Sequence, residues 1–217
     1  MNMKYFGSIE DAVTFTTRVL YDTEPTGIEV DAVFLFAQTR DNQASVLNRG
    51  AQLYHADRVH EIAICNGNTE TGYLGYRVWY QELLNRGVRD KGSIVAITIP
   101  NHANINTLSE AQALIRHAKS HKWEYIYITS SPFHQLRAFI SSVSVATREY
   151  PYLRIHNKPG IQLDWKQSVR HSQGTLKATR LELIKHELGR IDKYHESGDL
   201  IPFADVLDYL DKRDSNN

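Results

Sequence analysis

Four short apolar runs, each closed by small polar or turn-forming residues, decide what this chain can fold into. They are VDAVFLF at residues 30–36, EIAIC at 61–65, SIVAITI at 93–99 and YIYIT at 125–129. Each is rich in β-branched or aromatic residues and too short for a helix of ordinary length. Near-continuous apolar runs of this kind suit strands buried on both faces of a parallel sheet. Helical stripes separate them. Ala44, Leu47, Ala51 and Tyr54 share one face, and Leu74, Val78, Leu83 and Leu84 form a second stripe that Gly87 stops. Leu108, Ala111, Leu114, Ile115 and Ala118 form a third, and Phe133, Leu136, Ala138, Phe139 and Ile140 a fourth, after Pro132. Strand and helix alternating four times predict an α/β, Rossmann-like doubly wound sheet, mainly parallel and flanked by helices. Residues 152–155 can add a fifth strand.

The ends read differently. Residues 8–21 predict a helix capped by Ser8. Residues 172–196 predict a long helix and residues 203–212 a short one, with a frayed tail after them. With 217 residues, no repeat and no low-complexity linker, the chain reads as a single domain. Residues 28–150 form its core, and a C-terminal helical extension, 165–213, covers one side of the sheet.

Composition excludes some roles. Lys plus Arg and Asp plus Glu are both 25, so no global charge draws the chain to nucleic acid or anionic membrane. No stretch reads as a signal peptide or a membrane anchor. The lone Cys65, inside an apolar run, reads as a small buried hydrophobe. A reducing cytoplasm is the expected location.

In open parallel sheets ligands bind outside the carboxyl ends of the strands. Gln38, Thr39 and Arg40 follow the first run, Asn66, Gly67, Asn68 and Thr69 the second, Asn106 and Thr107 the third, and Ser130, Ser131 and His134 the fourth. At the fourth junction Pro132 suits the first helical position, Ser130 or Ser131 would cap, and the free N–H groups would favour an anion. His134 and Arg137, three apart, would share a helix face beside it. At the third, Thr107 and Glu110 have capping-box spacing, with Asn106 free to point into the cleft. At the second junction, Gly67 and Gly72 read as glycines that allow a turn with positive φ. There is no Gly-x-Gly-x-x-Gly, no P-loop and no Gly-x-Ser-x-Gly elbow. His117 and His121 read as a solvated helix end rather than a metal pair. The basic stretch 170–193, offset by Glu182, Glu187 and Asp192, reads as a solvated face.

The pattern resembles the YdcF/SanA/ElyC-like family of bacterial Rossmann-like proteins. ITSSPFHQLRA at residues 128–138 is similar to that family's VTSxxHxxRA signature, and NTLSEA at 106–111 to its NTxxEA signature. VDA at 30–32 with Arg49, and Gly87 with Val88, resemble its opening strand and its Gly-Val pair. The likeness runs from about Val30 to Ala138. The chain departs from the family at the Gly-Gly turn and the Glu-Ala pair, where it has Asn66, Gly67, Asn68 and then Gly75 and Tyr76. The carboxylate of that pair is therefore missing unless Glu70 replaces it.

The resemblance implies an enzyme acting on a small anionic, nucleotide or phosphorylated ligand by hydrolysis or group transfer. His134 and Glu110 would be catalytic. Arg49, Asn66, Asn68, Asn106, Thr107, Ser130, Ser131 and Arg137 would bind the ligand, without metal. A nucleotide or S-adenosylmethionine is the candidate cofactor. The alternatives are a non-catalytic binder of such a ligand, or an interaction module whose C-terminal helices form a partner or homo-oligomer surface.

Overall fold

The computed structural model describes residues 4–67, 69, 72–89, 92–99, 105–171 and 174–215. Its elements begin with α1 (Ile9–Leu20), β1 (Ala32–Leu35), α2 (Gln43–His55), β2 (Glu61–Asn66), α3 (Tyr76–Asn85) and β3 (Ile94–Thr98). Then come α4 (Thr107–His121), β4 (Tyr125–Thr129), α5 (Gln135–Glu149) and β5 (Arg154–Asn157). The chain continues through β6 (Ser168–His171), β7 (Leu176–Thr179), α6 (Arg180–Glu196) and α7 (Phe203–Asp214).

The apolar runs pair as expected. Five parallel strands lie in the order β3-β2-β1-β4-β5. β1 is central, its Val33 in register with Ile62 of β2 on one side and Tyr127 of β4 on the other. All four β1 residues are buried, as a strand covered on both faces requires. Helices α2 and α3 pack together, as do α4 and α5, and α5 also meets α1, α6 and α7. Ala138, Ser142 and Ala146 keep α5 slim enough for this central place, and each is fully buried. Ser8 caps α1 as read, its Oγ accepting from Asp11 N at 3.0 Å. Among the described residues no helix is long and apolar enough to cross a membrane.

Two regions depart from the sequence reading. Residues 168–179 are not the start of a long helix. β6 and β7 form an antiparallel hairpin, and α6 begins only at Arg180. The hairpin docks on the loop after β1: Thr39 Oγ1 donates to Arg170 O at 2.7 Å, and Asn42 Nδ2 reaches the same oxygen at 3.3 Å. Arg180, read as part of a solvated face, is buried and donates to Asn42 Oδ1 at 2.9 Å and to Asp41 O at 2.7 Å. The C-terminal extension therefore covers more than a face of the sheet: it also reaches over the strand ends. Of the two glycines after β2, Gly72 has the expected positive φ, at 80°, whereas Gly67 does not and is held small by Ile105 and Ile99, which a Cβ would meet at 3.1 and 3.3 Å.

Gly160 shows how tightly the β4 end is packed. Its N–H donates to Ser130 O at 2.8 Å. A Cβ there would stand 2.9 Å from that same oxygen and closer still to Ser45 Oγ.

Candidate functional site

The strand order reverses between β1 and β4, and in open α/β sheets the crevice at that switch is where ligands bind. Gln38 bridges the two strand ends. Its Nε2 donates to Ser130 Oγ at 3.2 Å, and its Oε1 accepts from Ser131 Oγ at 2.9 Å. Gln135 braces the turn from behind, accepting from Ser130 N at 2.7 Å and donating to Asn157 Oδ1 at 2.8 Å. Neither serine caps α5. Residues 131–134 form a turn closed by His134 N donating to Ser131 O at 2.8 Å, so Pro132 precedes the helix by three residues. The anion seat expected at a Ser-capped helix start is therefore not formed.

Above this crevice lies a cavity of about 90 Å³ walled by His134, Thr107, Glu110 and Arg137 from the core, and by His171, Arg190 and Tyr194 from the extension. His134 is buried, with Nδ1 2.7 Å from Ser130 Oγ and Nε2 3.0 Å from Thr107 Oγ1. Burial, reinforced by the Arg137 charge, pushes its pKa well below the ordinary 6.5, so the ring is neutral at neutral pH.

Glu110 does not cap α4. Its Oε1 accepts from Ala37 N at 2.6 Å and from Cys65 Sγ at 3.3 Å. Those two donors favour the carboxylate, but burial outweighs them and pushes the pKa up to about 8. Glu110 is thus a protonated acid at neutral pH. Cys65 is buried as expected, and burial raises its thiol as well, so it serves as a donor rather than a nucleophile.

The cap of α4 is Asn106, whose Oδ1 accepts from Leu108 N and Ser109 N at 3.0 Å each, while Ser109 Oγ accepts from Asn106 N. Thr107 is left free for the site, where its Oγ1 accepts from Arg137 Nη1. Asn106→Ala should cost about 1 kcal/mol in urea unfolding, the usual worth of an N-cap. Thr107→Ala should leave the cap intact. Amide exchange at Leu108 and Ser109 that quickens in Thr107→Ala and not in Asn106→Ala would contradict this assignment.

Arg137 is buried and already paired. Its Nε donates to Glu187 Oε2 at 2.6 Å and its Nη2 to Oε1 at 3.3 Å. Arg190 Nη1 and His171 Nε2 stand 3.0 and 2.9 Å from the same Oε1. Burial works to raise the Glu187 carboxyl, but the Arg137 charge, with the His171 hydrogen bond, overrides it and holds the group well below the carboxylate range. Among the described residues of the cavity wall, two guanidiniums face one carboxylate, with Glu110 and His134 neutral, an excess of positive charge.

Other expected ligands do not reach it. Arg49 lies on α2, donating to Pro159 O at 2.8 Å and to Gln52 Oε1 at 3.3 Å, away from the cavity walls. Asn66 is exposed at the end of β2 and does not line it. Asn68 and Glu70 lie outside the described residues. Ser130 and Ser131 sit behind His134 rather than on the wall.

Sequence reasoning missed Glu187, His171, Arg190 and Tyr194. A signal was present for one of them. Leu183, Glu187 and Ile191 recur every four residues and are all buried, so a carboxylate interrupts an apolar stripe of α6. Such a residue needs a buried cationic partner. No family model, curated protein or solved structure matches the chain.

Proposed function

We propose that the chain is an enzyme that binds a small anionic, phosphorylated or nucleotide-type substrate at the β1/β4 crevice and acts on it by hydrolysis or group transfer. The observation that carries this reading is a pair of buried titratable groups, walling one cavity, whose pKa values are driven apart. Glu110 is held protonated to about pH 8, and His134 is held neutral to well below 6.5. Environments that separate two groups in this way mark an acid and a base. Glu110 would give a proton to the leaving group. His134 Nε2 would take one from the attacking hydroxyl or water, its Nδ1–H donating to Ser130 Oγ. The surplus guanidinium charge of Arg137 and Arg190 would hold the anion. A YdcF-like identity is consistent with this reading and supplies its substrate class.

Binding without turnover is the second reading. It is favoured by the satisfied state of His134, both ring nitrogens of which have partners.

The test is calorimetric titration of the full chain with inorganic phosphate, followed by release of phosphate from nucleoside monophosphates and sugar phosphates. Phosphate binding that weakens in Arg190→Ala, together with turnover, is the expected result. Binding without turnover leaves the sensor reading. No phosphate binding at millimolar concentration removes the anion site.

A further inference from the structure

A second chamber, of about 220 Å³, lies beyond Arg137 and shares Asn106, Thr107, Arg137 and Tyr194 with the cavity already described. Its remaining walls are Leu108, Ser141, Asp199 and Leu200. The first cavity is far smaller than the several hundred Å³ of a usual small-molecule site. It can seat an anionic group, but not the body of a metabolite. The second chamber is larger and opens from the same guanidinium.

Its chemistry differs from that of its neighbour. Ser141 is 3 % exposed, and its hydroxyl has no hydrogen bond among the described residues. That is unusual for a serine inside a helix. Ser142 and Ser144 on the same helix donate back to Ala138 O and Ile140 O at 2.8 and 2.7 Å. A hydroxyl on the chamber wall without an internal partner is free to bond a ligand group. Asp199, half-buried, accepts from Ser197 Oγ at 2.9 Å and forms no ion pair among the described residues. Its carboxylate therefore has capacity for further donors and repels a second anion. Leu108, Leu200 and the Tyr194 ring make the rest of the wall apolar.

We infer that this chamber is a sugar subsite, which holds the hydroxylated ring of a substrate whose anionic group lies in the first cavity. The inference rests on the anionic-substrate reading above. Ring hydroxyls donate to Asp199 and exchange a hydrogen bond with Ser141, while the C–H face of the ring packs on Tyr194, Leu108 and Leu200. The shared chemistry is a phosphorylated furanose or pyranose. A free sugar phosphate and the ribose of a nucleotide both supply it.

Calorimetric titrations of the full chain with inorganic phosphate, ribose 5-phosphate, glucose 6-phosphate and adenosine monophosphate test it. At least one sugar-bearing ligand should bind about tenfold or more tighter than phosphate, the gain expected from two hydrogen bonds and apolar contact. Ser141→Ala and Asp199→Asn should each shrink that ratio by roughly three- to tenfold while phosphate affinity holds. Ser141→Ala has no internal bond to lose, so its Tm should stay at the wild-type value. Adenosine monophosphate binding tighter than ribose 5-phosphate identifies a nucleotide, and the reverse a sugar phosphate. Phosphate bound with no gain from any sugar, or a gain that survives both substitutions, overturns the subsite and leaves the anion site standing. Failure of all four ligands to bind removes the anion reading itself.

Discussion

Glu187→Ala is expected to destabilise the protein by about 3–5 kcal/mol, the cost of leaving a buried charge without its partner. Arg137 and Glu187 are each less than a tenth exposed, and the carboxylate receives Arg137 through two nitrogens. Removing it strands a largely buried guanidinium, and Arg190 and His171 lose this acceptor as well. The double variant Arg137→Met with Glu187→Met should recover much of the loss, because it removes both charges and keeps the volume. Urea unfolding at pH 7 measures both. If the two single losses simply add in the double variant, the pair is not coupled and the network is misread. The pH dependence has a definite sign. The Glu187 carboxyl is held below its ordinary 4.5, so its stabilisation is present above that value and is lost as pH falls toward the depressed one. His134 acts in the same direction: the unfolded ring takes up a proton near 6.5 and the buried ring does not, so acid favours unfolding. Glu110 has the opposite sign. Its contribution is complete below 4.5 and fades as pH rises through about 8.

His134→Asn should lower kcat by about a hundredfold or more, the size of a general acid–base contribution, with ligand affinity nearly unchanged. The kcat/KM profile of the wild type should fall on the alkaline side near pH 8, where Glu110 gives up its proton, and on the acid side well below 6.5, where His134 gains one. His134→Asn should lose the acid limb and keep the alkaline one. Glu110→Gln should do the converse. A purely structural histidine would behave otherwise, with a lower Tm and unchanged turnover per folded molecule. That outcome, on protein checked by circular dichroism, would leave the binding reading in front.

The sheet was legible because its strands are buried on both faces, and continuous apolar runs such as 30–36 and 125–129 have few other folds open to them. The β6–β7 hairpin was not. In β6 only Val169 and His171 face inward, so one apolar residue in four carries the pattern. The Leu, Lys and Glu of α6 then extend a helical reading back over residues 176–179. At the site, the core half was readable from strand-end polarity, which picked out His134, Thr107 and Arg137. Glu110 was marked by its spacing and given the wrong partner. Asn106, one residue before Thr107, satisfies the helix end and frees Glu110 for the cleft. Arg49 was drawn in by the family resemblance and Asn66 by its place at a strand end, and neither lines the cavity. Arg190, His171 and Tyr194 reach the cavity only through the long-range packing of α6 and the hairpin, which local pattern does not encode.

The division of the site between core and extension sets an order on its biosynthesis. The strands β1 to β5, with His134, Glu110 and Arg137, leave the ribosome before α6 does. Until Glu187 emerges, a nascent chain holds Arg137 without its counter-charge, and the cavity lacks the wall formed by Arg190 and Tyr194. Asp22 waits longer still, for Arg213 on α7, which reaches it through two guanidinium nitrogens. A partly made chain thus carries the core wall of the cavity without the wall that the extension supplies.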